Sequence, residues 1–572
     1  MQINTRKATG KVYDAVIVGS GAAGGMAAYV MANAGLDVLV LEAGPQLDLY
    51  KDFKTHAWPY EEKYRGRLSP RDAHNYKYGF ADGYTSHIYA RLDENPYSTP
   101  NGKPFDWVRA RAVGGRTLVW GRVSLRLSDY DFKAASFDGY GDDWPISYAD
   151  LKPYYDEVDR LIGVMGTYEN LPQLPDGVFQ KAQPMLCGEQ ILKAGVEKNG
   201  RRLIPTRAGV TSEKGKLPAS VQKHRASCHY CGTCGRGCDV GAMFNSPTAL
   251  LEPAKATGKL TVRADAVARE VLIDVKTGKA RGVAFIDRKS KLEYEALGKI
   301  VVLGASTLES TRIMLNSKSR LHPNGLANSS GVLGHYLHDH TWGVSFTGFA
   351  SKLKNREILN EDGRPQGTYI PAFRNLDKAS RQQKYVRRFG YQCSSGAGIF
   401  PGHAKLLPGF GADLKREIKA WHPAMIRMSG FGEVLARREN GVSIDPKLKD
   451  AWGIPSLKID IAYGDNEREL TNDVIECAHE MFHAAGIELI TENREMFSPG
   501  HSIHEVGTAR MGNDPKTSVL NKWNQAHDVS NLLVVDGSCF VSSGCVNPTI
   551  TILALAMRAS QHAVEQFKRE EI

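Results

Sequence analysis

The sequence predicts an α/β chain, α+β overall, with a nucleotide-binding sheet opening at the N-terminus and a second, sheet-based domain further along. Three observations carry this. A strand, a glycine turn, a helix and a second strand follow one another between Val12 and Glu42. Buried-strand patterns recur far downstream, at Lys299–Leu303 and Asn531–Asp536. Between those two, residues 342–496 turn basic and aromatic, with strand-like alternation and one amphipathic helix at Asp465–Ala485.

Val12–Val18 is a short apolar run, the pattern of a strand buried on both faces. It ends in Gly19-Ser20-Gly21-Ala22-Ala23-Gly24, followed by a small-residue helix at Gly25–Asn33, a strand at Asp37–Leu41 and the acid Glu42. Each glycine serves a mechanical purpose. Gly19 permits the tight turn, Gly21 lets backbone approach a pyrophosphate, and Gly24 lets helix and strand pack closely. The helix then points its positive end at the phosphates, and Glu42 is placed to accept from a ribose hydroxyl. The strand before, the helix after and the acid at the right distance distinguish this unit from an ordinary glycine turn.

Residues 45–108 are rich in tyrosine, proline and charge with weak periodicity; with 131–199 they are expected to form lid or peripheral segments. Leu260–Asp274 and Ala280–Asp287 alternate as paired strands do, and Thr307–Asn316 and Thr549–Gln566 read as helices. The nucleotide domain is therefore expected to draw on 11–130, 200–341 and 497–572, with 342–496 as the substrate-binding domain.

Hydrophobic residues make up 42% and charged residues 24% of the 572, which is ordinary globular composition. The net charge of +10 is mild for this length, and no basic stripe or RNA-binding motif accompanies it, so no nucleic-acid partner is expected. No apolar run is long enough to cross a bilayer, so the chain is not expected to be transmembrane. Met1–Lys11 is polar, with neither a hydrophobic core nor a twin arginine, so no signal peptide is recognised in it.

Four of the nine cysteines crowd into Cys228, Cys231, Cys234 and Cys238, spaced C-x2-C-x2-C-x3-C. An odd total with one dense cluster is a poor disulfide framework and a good metal-site candidate. The spacing equals the bacterial ferredoxin run, with Asp239 where proline normally follows. Structural zinc sites, the alternative, usually split into two pairs across a longer loop, so an iron–sulfur cluster (3Fe-4S or 4Fe-4S) suits the run better. Either Cys238 completes a four-iron cluster, or three of the four cysteines hold three irons.

Nucleotide folds of this kind serve both NAD and FAD, and later segments decide between them. Val40-Leu-Glu-Ala-Gly44, Val113-Gly-Gly-Arg-Thr-Leu-Val-Trp-Gly121, Val301-Val-Leu-Gly-Ala-Ser-Thr-Leu-Glu-Ser310, His504-Glu-Val-Gly-Thr-Ala-Arg-Met-Gly512, and Val535-Asp-Gly-Ser538 with Asn547-Pro-Thr549 occur in order along the chain. In these blocks the sequence resembles the glucose-methanol-choline (GMC) oxidoreductase family. The resemblance implies a Rossmann-like FAD-binding domain assembled from discontinuous segments beside a sheet-based substrate domain, the GMC fold. It implies FAD contacts from Gly19, Gly21, Ala22, Ala23, Gly24, Glu42, Ala43 and Arg109. Gly114, Gly115 and Trp120 would lie near the flavin, Val267 near the adenine, and Asp536 and Gly537 near the ribityl-phosphate region. Ala305, Asn547 and Thr549 complete the set. Pyranose oxidases, within this family, bind FAD covalently through a histidine at the position of Val119; here the attachment is expected to be non-covalent.

Alcohol oxidation removes a proton from oxygen and a hydride from carbon, and histidine is the natural base for the proton. The resemblance places the catalytic pair at His504 and Asn547: His504 as sole base, Asn547 orienting the hydroxyl, hydride passing to flavin N5. His501 is the local competitor for His504; His335, His338 and His340 are read as packing or hydrogen-bonding groups. Asn547-Pro548 also suits a helix entry, with Asn as cap.

A one-electron centre beside a two-electron flavin points to an external acceptor. The branch of the family with glucoside 3-dehydrogenase activity implies oxidation of a secondary hydroxyl of a sugar or glycoside, favoured at C3 of glucosides, to a ketone. It also implies a small subunit carrying an export signal, a cytochrome c acceptor (or a quinone) and a periplasmic location, with the cytoplasm as alternative. The cysteine-rich run is also similar to that of FAD-dependent glucose and fructose dehydrogenases, except that His229 falls where their first ligand is expected. The alternatives are an oxygen-using sugar oxidase of the pyranose oxidase type, or another sugar or sugar-acid dehydrogenase acting on gluconate, glucose or fructose.

Overall fold

The computed structural model describes residues 7–76, 80–357, 363–396, 398 and 400–572. Its principal sheet is built from β1 (Lys7–Val18), β2 (Val38–Leu41), β3 (Leu260–Arg263), β4 (Ala266–Ile273), β5 (Ala280–Asp287), β6 (Glu293–Leu303) and β7 (Leu532–Val534). The order is β3-β2-β1-β6-β5-β4, with β7 beside the far end of β6. β3, β2, β1, β6 and β7 run parallel, whereas β6, β5 and β4 form an antiparallel meander. β6 thus has two neighbours on one edge: β5 along Glu293–Leu297 and β7 along Val301–Leu303.

β2, β7 and Ala15–Val18 of β1 are apolar throughout because helices cover both faces of a parallel sheet. The helices that position the site are α1 (Ala22–Asn33), α2 (Thr307–Asn316) and α3 (Thr549–Lys568). α1 packs on α3 through a run of small residues, with Ala27, Ala28, Met31 and Ala32 buried.

The alternation at Leu260–Asp274 resolves into two strands. Asp265 takes a left-handed φ of 55° and breaks the run; β3 joins β2 in parallel while β4 pairs with β5. Alternation alone carries no information about which neighbour a strand finds.

The second sheet is antiparallel, in the order Glu488–Asn493, Ser345–Phe349, Met425–Gly432, Phe389–Ser395, Thr368–Ile370, Ile204–Pro205. Helix Asp465–Ala485 lays Leu470, Val474, Ala478, Met481 and Phe482 into one core with Phe346, Tyr391 and Met428, and ends on Gly486 at φ 63°. This sheet recruits Ile204–Pro205 from upstream. Conversely, the hairpin Gly441–Lys449 and Pro455–Asp460 packs against α2, where Arg312 bonds Asp450 at 2.8 Å. A two-residue strand and a hairpin's packing partner leave no periodic trace in sequence.

A cavity of about 450 Å³ is lined from both sheets: by the C-terminal ends of β1, β2 and β6, and by Trp342 and Gln392 of the second sheet's layer.

A Cβ on Gly24 would lie 2.0 Å from the Gly19 carbonyl oxygen, a backbone atom that cannot yield without opening the turn. Gly24→Ala is expected to destabilise the protein by about 1–3 kcal/mol, read as a lower melting midpoint; an unchanged midpoint would contradict the close helix–strand contact.

Candidate active site

The dinucleotide end of the cavity is made of backbone. Gly19, at φ 93°, could not carry a side chain, since a Cβ would sit 2.4 Å from Gly304 O. Gly21 is different: the nearest protein atom to a Cβ there is 3.8 Å away, so its outer face is open. Gly21 is also the N-cap of α1, which has no side-chain cap and no acid in its first turn. Those uncapped N–H groups and the helix dipole favour an anion, so the residues present fit a pyrophosphate.

Glu42 is buried. Its Oε2 accepts from Ser20 Oγ (2.6 Å) and Ser20 N (3.1 Å), and its Oε1 accepts from Gly44 N (2.9 Å). Burial pushes the Glu42 carboxyl up, opposed by the Ser20 and Gly44 hydrogen bonds and by Arg111. Glu42 lines the cavity, and its carboxylate keeps acceptor capacity for a hydroxyl. Ser20 Oγ also accepts from Gly114 N at 2.8 Å, so one hydroxyl joins the first glycine turn to the second.

Of the cofactor residues expected from sequence, Gly19, Gly21, Ala22, Ala23, Glu42, Ala43, Arg109, Gly115, Trp120, Val267, Ala305, Asp536, Gly537, Asn547 and Thr549 line this one cavity. Gly24 and Gly114 stand behind its wall, where added carbons would strike Gly19 O and Pro247. Arg109 is buried, its guanidinium shared between Glu309 (3.1 Å) and Asn95 O (2.5 Å). Asp536 accepts from Ser310 Oγ and from Ser538 N (3.0 Å), and burial pushes its carboxyl up.

At the other end, His504 and Asn547 meet: Asn547 Nδ2 lies 3.1 Å from His504 Nε2. The hydrogen-bond network assigns the tautomer. His340 Nε2 lies 2.8 Å from the Gly544 carbonyl, which can only accept, so that nitrogen carries hydrogen. His340 Nδ1 is then an acceptor, and His504 Nδ1, 3.2 Å away, must donate to it. His504 Nε2 is left with its lone pair toward Asn547 and the cavity. The pair offers an acceptor and a second amide N–H side by side, the complement of an alcohol hydroxyl.

The local backbone aims His504. Ile503 before it takes φ 61°, an unfavourable conformation for a β-branched residue. Arg116 holds that turn, donating to Ile503 O (3.3 Å) and Glu505 Oε1 (2.8 Å). Burial pulls the His504 pKa well below the ordinary histidine value, with His340 and Arg116 adding to the shift. His504 is therefore neutral, and able to accept a proton, across the neutral range.

Asn547 caps no helix. Pro548 is the N-cap of α3, and Asn547 spends its side chain on His504 and on Gln392, whose Nε2 donates to Oδ1 at 3.2 Å. His501 also lines the cavity but bonds Asp106 at 2.8 Å rather than Asn547. His338 bonds Tyr336 O and His335 bonds Arg438 O, both as hydrogen-bonding groups of the fold. Sequence reasoning missed Ser20, Arg116, Gln392 and the orienting role of His340. Only Ser20 and Arg116 lie inside recognised motifs.

The four clustered cysteines are free thiols around one small hollow, shared with His229, Met243 and Pro365. Cys234 is pushed up to about 12 by burial, Arg122 opposing and the other three cysteines adding to the rise. Among the described residues no three His, Cys, Asp or Glu side chains converge closely enough to hold a single metal ion. Gly237, at φ 99°, turns the loop where a Cβ would meet Phe53. Arg122 lies between hollow and cavity: it lines the cavity and feels Cys234 and Cys238.

Comparison with known proteins agrees with this architecture. Profiles of the GMC oxidoreductases match residues 13–342 for the N-terminal part and 436–556 for the C-terminal part. The chain is 29% identical to a 2-methyl-1,2-propanediol dehydrogenase of Mycolicibacterium austroafricanum, covering 97% of this chain and 95% of that protein. It is 28% identical to the fructose dehydrogenase large subunit of Gluconobacter japonicus, over 97% and 98% of the two chains. The crystal structure of pyridoxine 4-oxidase from Mesorbium loti has the same fold, with a TM-score of 0.61 at 17% identity over 96% and 98%.

His340→Phe removes the acceptor that fixes the His504 tautomer, whereas His340→Gln retains a donor and an acceptor. Substrate-driven reduction is expected to fall roughly tenfold or more in the Phe form and to recover in the Gln form. Equal losses in both forms would reduce His340 to packing.

Proposed function

We propose that this chain, which belongs to the GMC oxidoreductase family, is an FAD-dependent dehydrogenase that oxidises a secondary hydroxyl of a sugar or glycoside to a ketone. The observation that carries the reading is the His504–Asn547 pair facing the cavity that the Gly19–Gly24 turn opens. On binding, the substrate hydroxyl would replace the Asn547 N–H as donor to the single lone pair of His504 Nε2, and the released N–H would hold its oxygen and stabilise the alkoxide as the proton leaves. FAD, when bound along the cavity, supplies the two-electron acceptor for the hydride of the same carbon. Gly19–Gly24 hold its pyrophosphate and Glu42 its ribose. Val119 lines the wall at a place where a histidine would be needed for attachment, which supports non-covalent binding.

The C3 position of a glucoside is the favoured site of oxidation, on the resemblance drawn from the sequence. A polar wall of Gln366, Gln392 and His501 suits a polyhydroxylated substrate. The fructose dehydrogenase relative supports a sugar by its name.

The cysteine loop supports the dehydrogenase over the oxidase. Four thiols on one hollow are the donor set of an iron–sulfur cluster, which, when held, supplies a one-electron carrier between this cavity and an external acceptor. Cys228, Cys231, Cys234 and Cys238 would hold it. A cytochrome c, a small subunit carrying the export signal and a periplasmic site of action complete the proposal; among the described residues no helix is long and apolar enough to cross a membrane.

Anaerobic purification with flavin, iron and sulfide assays tests the cofactors: roughly three or four irons per FAD are expected, and zinc alone would sink the cluster. His504→Ala is expected to slow substrate-driven reduction by about 10²- to 10⁴-fold with FAD retained; loss of FAD instead would make the histidine structural. With methyl glucoside and an artificial acceptor, the product is expected to lack H3 in its NMR spectrum. Oxidation at another carbon would overturn the regiochemistry, and peroxide formation with oxygen as sole acceptor would favour the oxidase.

A further inference from the structure

Two buried arginines, Arg122 in the wall of the flavin cavity and Arg225 bonded to Ala242 of the cysteine hollow, have no carboxylate in hydrogen-bond or ion-pair reach among the described residues. Arg225 spends its guanidinium on three carbonyls, Gly241 O (2.8 Å), Ile162 O (2.8 Å) and Ala242 O (2.9 Å). Arg122 reaches Phe244 O (3.2 Å), Thr117 O (3.1 Å), Leu118 O (2.9 Å) and Trp120 O. Carbonyls satisfy the donors but leave the net charge unbalanced. Arg225 bonds Ala242, which packs in one cluster with Cys238, Cys228 and Cys234, and the ionisable groups that offset the burial of these guanidiniums are Cys238, Cys234 and Tyr89 for Arg122 and Cys238 for Arg225.

The contrast with the rest of the interior is direct. Arg126, Arg207, Arg312 and Arg388 are just as buried, and each meets an aspartate: Asp159, Asp176, Asp450 and Asp131 respectively. A buried cation without a counter-ion is costly, and guanidinium does not lose its proton to escape the cost. Arg122 moreover holds a left-handed φ of 60°, a strained conformation kept at a residue of the cavity wall.

We infer that Arg122 and Arg225 are the counter-cations of an anionic thiolate-ligated centre in the cysteine loop. The proposal rests on the iron–sulfur reading above and deepens it. Metal-bound cysteines are thiolates, so a loaded loop presents negative charge where the empty fold has only thiols. The loop wraps Arg225, whose carbonyl partners Gly241 and Ala242 directly follow the cysteine run. Arg122 connects the loop to the flavin side: Thr117 and Trp120, whose carbonyls it binds, line the cavity, and its Nε shares the Phe244 carbonyl with Trp120 Nε1 (3.2 Å each). Both positive charges stabilise the reduced, more negative state of the centre and so raise its reduction potential.

The test uses the whole protein with its flavin, comparing the native chain with Arg122→Gln, Arg122→Lys, Arg225→Gln and Arg225→Lys. Iron and sulfide content is measured first, then the midpoint potential of the centre by EPR-monitored titration. In the Gln forms a tenfold or greater weakening of reduction is expected, which is 59 mV more negative for one electron, with the Lys forms near native. Iron lost from the Gln forms but kept in the Lys forms equally supports the charge. Full iron with an unmoved midpoint in both Gln forms overturns the inference while leaving the cluster standing. So does equal iron loss from Gln and Lys forms that keep their flavin, which would make the guanidinium forks mere scaffolding. A native chain without iron and sulfide fails at the earlier step, and the counter-cation role falls with it.

Discussion

Everything in the nucleotide half depends on one backbone crossing. Val18 O accepts from Gly304 N at 2.9 Å, and Gly19 N donates to Leu41 O at 2.8 Å, so the ends of β1, β2 and β6 are tied at one level. Added carbons at Gly19, Gly24 and Gly304 would each strike backbone of one of the others at 2.0–2.6 Å. No side chain fits at this crossing, and none is present. Because β1 and β6 are fixed there, β7 can join at Val301–Leu303, and Val535 N donates to Leu303 O at 2.9 Å, carrying Asp536 and Gly537 to the cavity. Segments hundreds of residues apart reach one site through a glycine contact too close for any alternative register.

This explains which parts were legible from sequence. Gly19, Gly21, Gly24 and Glu42 announce themselves because a local turn, a helix start and a strand end lie within one short stretch. The apolar runs of β2 and β6 are legible for a related reason: burial on both faces removes alternation. The pairing of β3 with β2 was not legible, because its alternation equally suits the neighbouring hairpin, and only the left-handed Asp265 separates the two. Ile204–Pro205 is too short to have a period at all. In the site, His504 and Asn547 were recognised by family pattern, not by physics. The residues that make them work, His340 and Gln392, sit in segments whose sequence announces nothing; their relevance arises only when two sheets fold against one cavity.

The two ends of the cavity solve different problems with different materials. A pyrophosphate needs a constant geometry, and backbone amides at a helix N-terminus supply it without side-chain entropy to lose. A base needs a tunable one. His504 is desolvated, tautomer-locked by His340 and aimed by a strained Ile503 that Arg116 clamps. Such strain persists only where surroundings over-determine it, and here both sides of the turn are tied, through Arg116 to Ile503 O at 3.3 Å and through Thr307 Oγ1 to Glu505 O at 2.7 Å.

That division leaves the second sheet to support the pair rather than the pyrophosphate turn. Gln392 touches Asn547 from a strand of the second sheet, and Trp342 stands at the join of the two sheets. Neither belongs to the glycine crossing or to the histidine relay. Changes on the second sheet therefore reach the cofactor's cradle less than they reach the pair, since Gln392 holds Asn547 and Phe431 packs on His340 and His504. Asn547 also lies one residue before the helix-capping Pro548, so any shift of α3 relative to β1 moves half of the His504–Asn547 pair. Helix α1, packed on both, couples the pyrophosphate turn to that helix. The close packing that Gly24 permits thus bears on chemistry at the far end of the cavity as well as on the phosphates beside it.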